Sequence, residues 1–278
     1  MLLAHAGRHL ALDGSVRLFG VVGDPIAQVK SPGGITEQFL LRGANALLVP
    51  LHVPPASFPQ FLAAARGVLN LEGLVITVPH KIAVVPHLAS LTPRARFLGA
   101  ANIIRRIAPD GGWHGDLSDG EGMLHALTAA GFSPQGQRIL LAGAGGAGSA
   151  IALALLEAGA AELAVHDTNT DRRDSLLARL REHSGARLAV GSPDPAGFDL
   201  AVNATPMGMR PVGMRPEDPL PLDAARLAPG AWAADVVTMP ARTTFLELAA
   251  ARGCATVPGT AMFAAQAGYV ADFLLAAP

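Results

Sequence analysis

The sequence predicts an α/β protein of two domains, the second of them a doubly wound parallel sheet. Three observations predict it. Short apolar runs alternate with amphipathic ones along most of the chain, the pattern of strand–helix repeats around a parallel sheet. A glycine-rich turn, "LLAGAGGAG" at 140–148, stands between an apolar run and an alanine-rich one. Across 278 residues, 50% are hydrophobic and 15% charged, enough to close two cores and too apolar for disorder.

Taken in order, "VRLFGVV" reads as a strand and "PGGITEQFLLRG" as a helix closed by Gly43. "ANALLVPLHV" is a second strand, "ASFPQFLAAARGVL" a helix and "GLVITV" a third strand. "ANIIRRIAPDGGWHGD" predicts two strands around an Asp-Gly-Gly turn, a hairpin expected on the edge of the sheet. The helix "DGEGMLHALTAAG" then links the halves, with the junction near Asp119. The second series runs "RILLAGAGGAGSAIALALLEAG", "ELAVHD", a charged helix from Asp171 to His183, "RLAV", "DLAVNAT", "AWAADVV" and "CATV". A last helix from about Thr260 is too long for the second sheet alone and is expected to return to the first domain. The expected boundaries are 1–119 with 258–278 for one domain and 120–257 for the other. The tandem repeat "GMRPVGMRP", 208–216, reads as a loop from its Pro and Gly content.

Composition also excludes classes of function. The net charge is −1 and no run of like charges occurs, which argues against nucleic acid or an anionic membrane as partner. The apolar stretch 139–156 has membrane-like length but four glycines near its middle, and reads as a turn joined to buried elements. The N-terminal apolar run is too short for a signal peptide. The single cysteine, Cys254 in "RGCATV", has no internal partner and reads as a packing residue, which fits a reducing, cytoplasmic setting. His5 and His9 stand at i, i+4 but flank Gly7, a poor basis for a metal site, so no metal is expected. His80 reads as a hydrogen-bonded packing residue. No GxSxG elbow or P-loop lysine is present. No interface is legible, so the chain is expected to be a monomer or homodimer.

Gly143, Gly145 and Gly148 have the spacing GxGxxG in a strand–turn–helix context, with Gly146 at the helix start. The first glycine permits the tight turn, the second a close approach of backbone to pyrophosphate, and the third close packing of helix on strand. The helix N-terminus adds free amides and a positive dipole end. "ELAVHD" ends in Asp167, 24 positions after Gly143, where a carboxylate can accept both hydroxyls of an adenosine ribose. This is the fingerprint of a Rossmann dinucleotide site. A carboxylate at that place disfavours a 2′-phosphate, so NAD is favoured as cofactor, while Arg172 and Arg173 leave NADP open.

Of 21 lysines and arginines only two are lysines, Lys30 and Lys81. Arginine stays protonated and cannot serve as a base near neutral pH, whereas lysine can where its surroundings favour the amine. Lys81 follows the apolar run "GLVITVP", at the end of a strand where parallel sheets bind ligands. Asp119, in "GDLSDGEG", supplies a carboxylate to hold or orient it, and Asp116 in the same turn reads as structural. Ser31 is placed to cap the helix that Pro32 opens, and such an N-terminus suits a substrate carboxylate.

Together "GDPIAQVKSP", "VITVPHK", "AANII", "GDLSDG", "LLAGAGGAG", "NATPMGM", "ADVVTMP" and "GTAMFAAQAG" resemble the shikimate dehydrogenase family, in family order and over nearly the whole chain. The resemblance implies a substrate domain followed by a Rossmann domain. It also implies reversible NAD(P)-dependent oxidation of the 3-hydroxyl of a cyclic polyhydroxy carboxylate. By position it implies Lys81 and Asp119 as the catalytic pair, and Ser31, Thr77, Asn102 and Gln266 as substrate contacts. Asn203, Thr205 and Pro206, in "NATPMGM", are implied to border the nicotinamide. Three positions depart from the family pattern: Val29 and Val75 stand where serine and asparagine are usual, and Thr238 replaces a tyrosine. Each removes a hydrogen-bonding group from the expected pocket, at about 1–3 kcal/mol where a partner is left buried and unpaired. Shikimate, quinate or an amino analogue are thus candidate substrates. A low-turnover dinucleotide sensor of the same fold is the competing reading, disfavoured because a sensor has no need of a lysine–carboxylate pair.

Overall fold

The computed structural model describes residues 4–5, 8–107, 112–209 and 219–276. The chain divides into two compact units, one of residues up to Ser118 together with those from Gln266 onward, the other Asp119–Ala265. The turn of the expected hairpin (108–111) and most of the "GMRPVGMRP" repeat (210–218) lie outside the described residues.

The first unit opens with a small antiparallel pair, β1 (Ala4–His5) and β2 (Arg8–His9). There follow β3 (Arg17–Gly23), α1 (Ser31–Leu41), β4 (Ala46–His52), α2 (Phe58–Ala65) and β5 (Leu71–Ile76). A two-residue strand β6 (Ser90–Leu91), a short helix α3 (Pro93–Leu98) and the pair β7 (Ile103–Ile107) and β8 (Gly112–Asp116) complete it. The six-stranded sheet has the order β4-β3-β5-β7-β8-β6. Strands β4, β3 and β5 are parallel, as βαβ crossovers demand, and β7 and β8 form the antiparallel hairpin. That hairpin is not the edge expected from the sequence: β6 pairs in parallel with β8 and closes the sheet beyond it. Two residues are too short for a periodicity signal, so only the fold reveals the strand.

No residue of β3 or β5 is exposed, as in parallel strands covered on both faces. Val22, Leu74, Ile76 and Ile104 face a cluster that holds Phe58 and Leu62 of α2 and the fully buried Trp113. On α1, Phe39 packs on Phe19 of β3, ring centroids 4.8 Å apart. His80 is buried, stacked on Phe58 at 4.0 Å, with Nε2 2.7 Å from the Val53 carbonyl.

The second unit starts with α4 (Asp119–Ala129) and continues β9 (Arg138–Ala142), α5 (Gly146–Glu157), β10 (Glu162–His166), α6 (Thr170–His183) and β11 (Arg187–Val190). Then come β12 (Leu200–Asn203), β13 (Trp232–Asp235), α7 (Thr244–Ala251) and β14 (Ala255–Val257), before α8 (Gly259–Leu275). All pairs in its sheet are parallel, in the order β11-β10-β9-β12-β13-β14. This is the doubly wound order, with its switch point between β9 and β12. Leu140, Ala201, Ala233, Phe245 and Leu246 form part of one core cluster of this unit. Cys254 is buried just before β14, its Sγ 3.4 Å from the Ala228 carbonyl, and burial raises its thiol pKa. That is the chemistry of a packing residue. Among the described residues no helix is long and apolar enough to cross a membrane.

Leu74 is 0% exposed on β5, which is paired on both sides. Leu74→Ala is therefore expected to cost about 2–5 kcal/mol and lower the thermal midpoint by on the order of 10 °C, read by calorimetry.

Candidate active site

In the first unit the predicted substrate residues gather at one end of the sheet. Thr77 follows β5 and donates its backbone N–H to Val22 at 2.9 Å. Asn102 precedes the antiparallel β7, so it lies at that same end, and its carbonyl accepts from the Ile76 amide at 2.7 Å. Ser118 follows β8. Its amide donates to Asn102 Oδ1 at 2.9 Å, and Asn102 Nδ2 donates to Ser118 Oγ at 3.1 Å. Ser118 Oγ in turn lies 3.4 Å from Gln266 Oε1 on α8. Ser118 was not among the residues singled out from the sequence. Its only signal there was its place between Asp116 and Asp119.

Lys81 is half-buried, and its carbonyl accepts from the Ala101 amide at 2.8 Å, so its backbone is fixed beside Asn102. Asp119 is 3% exposed and opens α4, one residue beyond Ser118.

Ser31 differs from expectation. It is the first residue of α1 itself, the cap position belongs to Lys30, and no side chain caps the helix. The backbone turns helical one residue early, with Lys30 already at φ −103°, ψ −11°. Ser31 Oγ is therefore not committed to a cap.

In the second unit, Gly143 has φ +101°, a conformation side chains disfavour, and turns the chain off β9. A Cβ on Gly148 would stand 1.9 Å from the Gly143 carbonyl oxygen, so helix and turn meet there only through glycine. A Cβ on Gly145 would meet nothing within 4 Å. Gly145 is the N-cap of α5, with Gly146 first in the helix, so open space lies in front of amides that have no intrahelical acceptor. That cradle fits a pyrophosphate.

Asp167 follows β10 but does not present two unused oxygens to a ribose. Oδ2 accepts from the Ala144 amide at 2.7 Å and Arg172 Nε at 3.1 Å. Oδ1 accepts from the Asn169 amide and Arg172 Nη2, both at 2.8 Å. Burial pushes the carboxyl pKa up, but Arg172 and the two amides outweigh it and hold it below the usual carboxylate range. Arg172, five positions on, folds back across one helical turn to do this. The charge expected to repel a 2′-phosphate is thus half of an ion pair.

Asn203 is fully buried at the end of β12. Its Oδ1 accepts from the Thr205 amide at 3.0 Å and Thr205 Oγ1 at 2.7 Å, and its Nδ2 donates to the Met207 carbonyl and Asp235 Oδ1, each at 3.0 Å. Three of these four bonds shape the loop that carries Thr205 and the exposed Pro206, and the fourth ties it to the end of β13. Asp235 also accepts from the Val237 amide at 2.9 Å and Thr243 Oγ1 at 2.7 Å. Burial nonetheless dominates and raises its carboxyl pKa to about 6.

Gly148→Ala is expected to unfold the turn and abolish dinucleotide binding. Gly145→Ala should fold normally yet weaken binding at least tenfold, read by fluorescence titration with the reduced dinucleotide.

Asp235 sets a pH dependence of opposite sign to ordinary acid denaturation. With a folded pKa of about 6 against the ordinary aspartate value of 3.8, its contribution to stability is fully present below 3.8 and is lost as pH rises through 6. The difference amounts to about 3 kcal/mol. Asp235→Asn is expected to flatten the change in thermal midpoint between pH 4 and pH 6.5, measured by calorimetry on both proteins.

Comparison with known proteins places these features in a family. Residues 21–104 match the family described as the shikimate dehydrogenase substrate binding domain. A shikimate dehydrogenase (NADP(+)) of Rubrobacter xylanophilus is 38% identical, over 92% of this chain and 89% of that one. Quinate dehydrogenase of Corynebacterium glutamicum, solved in complex with NAD, is 30% identical with a TM-score of 0.78, covering 93% of each chain. The ligand-free 5-ketofructose reductase of a Gluconobacter species is 28% identical with a TM-score of 0.79, over 95% of this chain and 94% of that one. The chain belongs to the shikimate dehydrogenase family.

Proposed function

We propose that this protein is an NAD(P)-dependent dehydrogenase that oxidises the 3-hydroxyl of shikimate or a close analogue. In this reading the first unit takes the substrate and the second the dinucleotide. The observation that carries it is the cluster Asn102–Ser118–Gln266 at one end of the first sheet, flanked in the chain by Lys81 and Asp119. Thr77 and the uncommitted hydroxyl of Ser31 complete the set of substrate contacts.

The dinucleotide, when bound, accepts or delivers the hydride. The chain's own part is the proton. In oxidation Lys81 takes the hydroxyl proton as the hydride leaves the same carbon. In reduction the ammonium returns that proton to the forming alkoxide. In this reading Asp119 is the carboxylate partner of Lys81 in the proton transfer. Asn102 and Gln266 hold further hydroxyls, fixing which carbon presents its hydrogen.

NAD is the preferred dinucleotide in this reading, because Asp167 keeps its negative charge and Arg172 is already engaged by it. The curated relatives at 31–38% identity are named for NADP(+), and similar solved structures hold NADP or NAD, so the assay below is run with both dinucleotides.

A second substrate reading rests on Val29, Val75 and Thr238. Each offers less hydrogen bonding than the family pattern, and Val75 sits two residues before Thr77, paired with Val21 and Ile103. A polyhydroxy ketone without a carboxylate suits such a site, and a 5-ketofructose reductase is among the similar structures.

An assay of nicotinamide reduction and oxidation with both dinucleotides, against shikimate, quinate, amino analogues and polyhydroxy ketones, tests these readings. Shikimate turnover with a lower KM for NAD is expected. NAD binding with no turnover of any substrate would leave a sensor. Lys81→Ala is expected to lower kcat at least a thousandfold while leaving dinucleotide affinity within twofold, and unchanged kcat would remove the lysine from the reaction.

A further inference from the structure

A second network lies immediately behind the predicted substrate contacts. Asp116, the last residue of β8, is fully buried and charged. Its Oδ1 accepts from Thr92 Oγ1 at 2.5 Å, Arg94 Nε at 2.8 Å and the Leu117 amide at 2.8 Å. Its Oδ2 accepts from Arg94 Nη2 at 2.5 Å and from the Tyr269 hydroxyl. Arg94 also donates to Tyr269 Oη at 2.7 Å and lies 5.2 Å from the centre of its ring. One carboxylate thereby ties together the first turn of α3, the end of β8 and the terminal helix α8.

Each anchor stands next to a residue of the candidate site. Ser118 is two positions beyond Asp116 in the chain. Gln266 is one helical turn before Tyr269 on α8, at i, i+3 spacing, so the two share a face. Asn102 donates its backbone amide to the Asp116 carbonyl at 2.9 Å. Ser118 and Gln266 are 148 residues apart in the chain, and the Asp116–Tyr269 link joins the strand end to the helix, together with the stacking of His114 on Phe273 at 5.8 Å.

Apolar packing would hold α8 to the sheet at lower cost. A buried ion pair often contributes no more stability than hydrophobic residues of the same volume, while its directional bonds fix geometry. Bidentate arginine–carboxylate pairing adds such directionality.

We infer that Arg94, Asp116 and Tyr269 are positioning residues, which set the separation of Gln266 from Asn102 and Ser118 and so determine how tightly the organic substrate is held. The inference rests on the proposed substrate roles of Asn102 and Gln266. Its test therefore includes a measurement that needs no turnover.

Tyr269→Phe removes one hydroxyl and keeps the ring on Arg94. Arg94→Lys keeps the charge and loses the fork. Both are preferred to Asp116→Asn, which carries a risk of misfolding. In Tyr269→Phe the side-chain amide NMR signals of Asn102 and Gln266 are expected to shift, assigned through Asn102→Asp and Gln266→Glu. The KM for the substrate found in the assay above is expected to rise about tenfold, with kcat within threefold and the dinucleotide KM unchanged. Arg94→Lys should do the same to a greater degree. Unmoved amide signals, or a lowered thermal midpoint with an unchanged substrate KM, would overturn the inference and leave the network a structural tie. A parent protein that turns over no substrate would count against the proposed function, and the amide signals would still decide this inference.

Discussion

Parallel strands joined by helical crossovers return every connecting loop to the same two edges of a sheet, and the candidate sites follow from that constraint. In the second unit it brings the turn after β9, the end of β10 and the end of β12 to one edge around the switch point. In the first unit β7 runs the other way, and the consequence is useful. The residue before an antiparallel strand meets the residues that follow its parallel neighbours, which is why Asn102 joins Thr77 and Ser118 at one edge. A hairpin inserted into a parallel sheet thus contributes two positions to the same end, one from each of its strands.

Three buried carboxylates show three ways of meeting the cost of burial. Asp116 has an arginine fork and two hydroxyls, and its pKa is held below the ordinary range although burial pushes it up. Asp167 has one arginine and two amides and goes the same way. Asp235 has only neutral donors, and for it burial wins. The difference lies in whether a full positive charge stands within hydrogen-bonding distance, because neutral dipoles offset only part of the lost hydration. The charged pairs sit beside the predicted substrate contacts and against the glycine turn at Ala144. The neutral set sits under the loop of Asn203 and Thr205.

Much of the fold was legible in the sequence because it rests on local signals. The apolar runs "VRLFGVV" and "GLVITV", the glycines at helix ends and the strand–turn–helix frame of Gly143 to Gly148 each act within about ten residues. What was not legible acts over longer distances or shorter lengths. Strand β6 is two residues long, carries no periodicity and exists only because β8 offers it a free edge. The α1 cap failed as an expectation because the backbone at Lys30 is already helical, a matter of dihedral angle that no residue type dictates.

The candidate site divides along the same line. By itself the sequence determined which residues have the chemistry: a lysine, the cation that can exchange a proton, a carboxylate 38 positions on, and glycines that suit a tight turn. Tertiary structure alone decided how those groups are committed. It brought Gln266 to Ser118 across 148 residues, engaged Asp167 with Arg172, and bonded Asn203 to the loop that follows it. The physical reason is that a side chain's identity sets what bonds it can make, whereas the bonds it does make depend on which partners the packed chain leaves within about 3 Å.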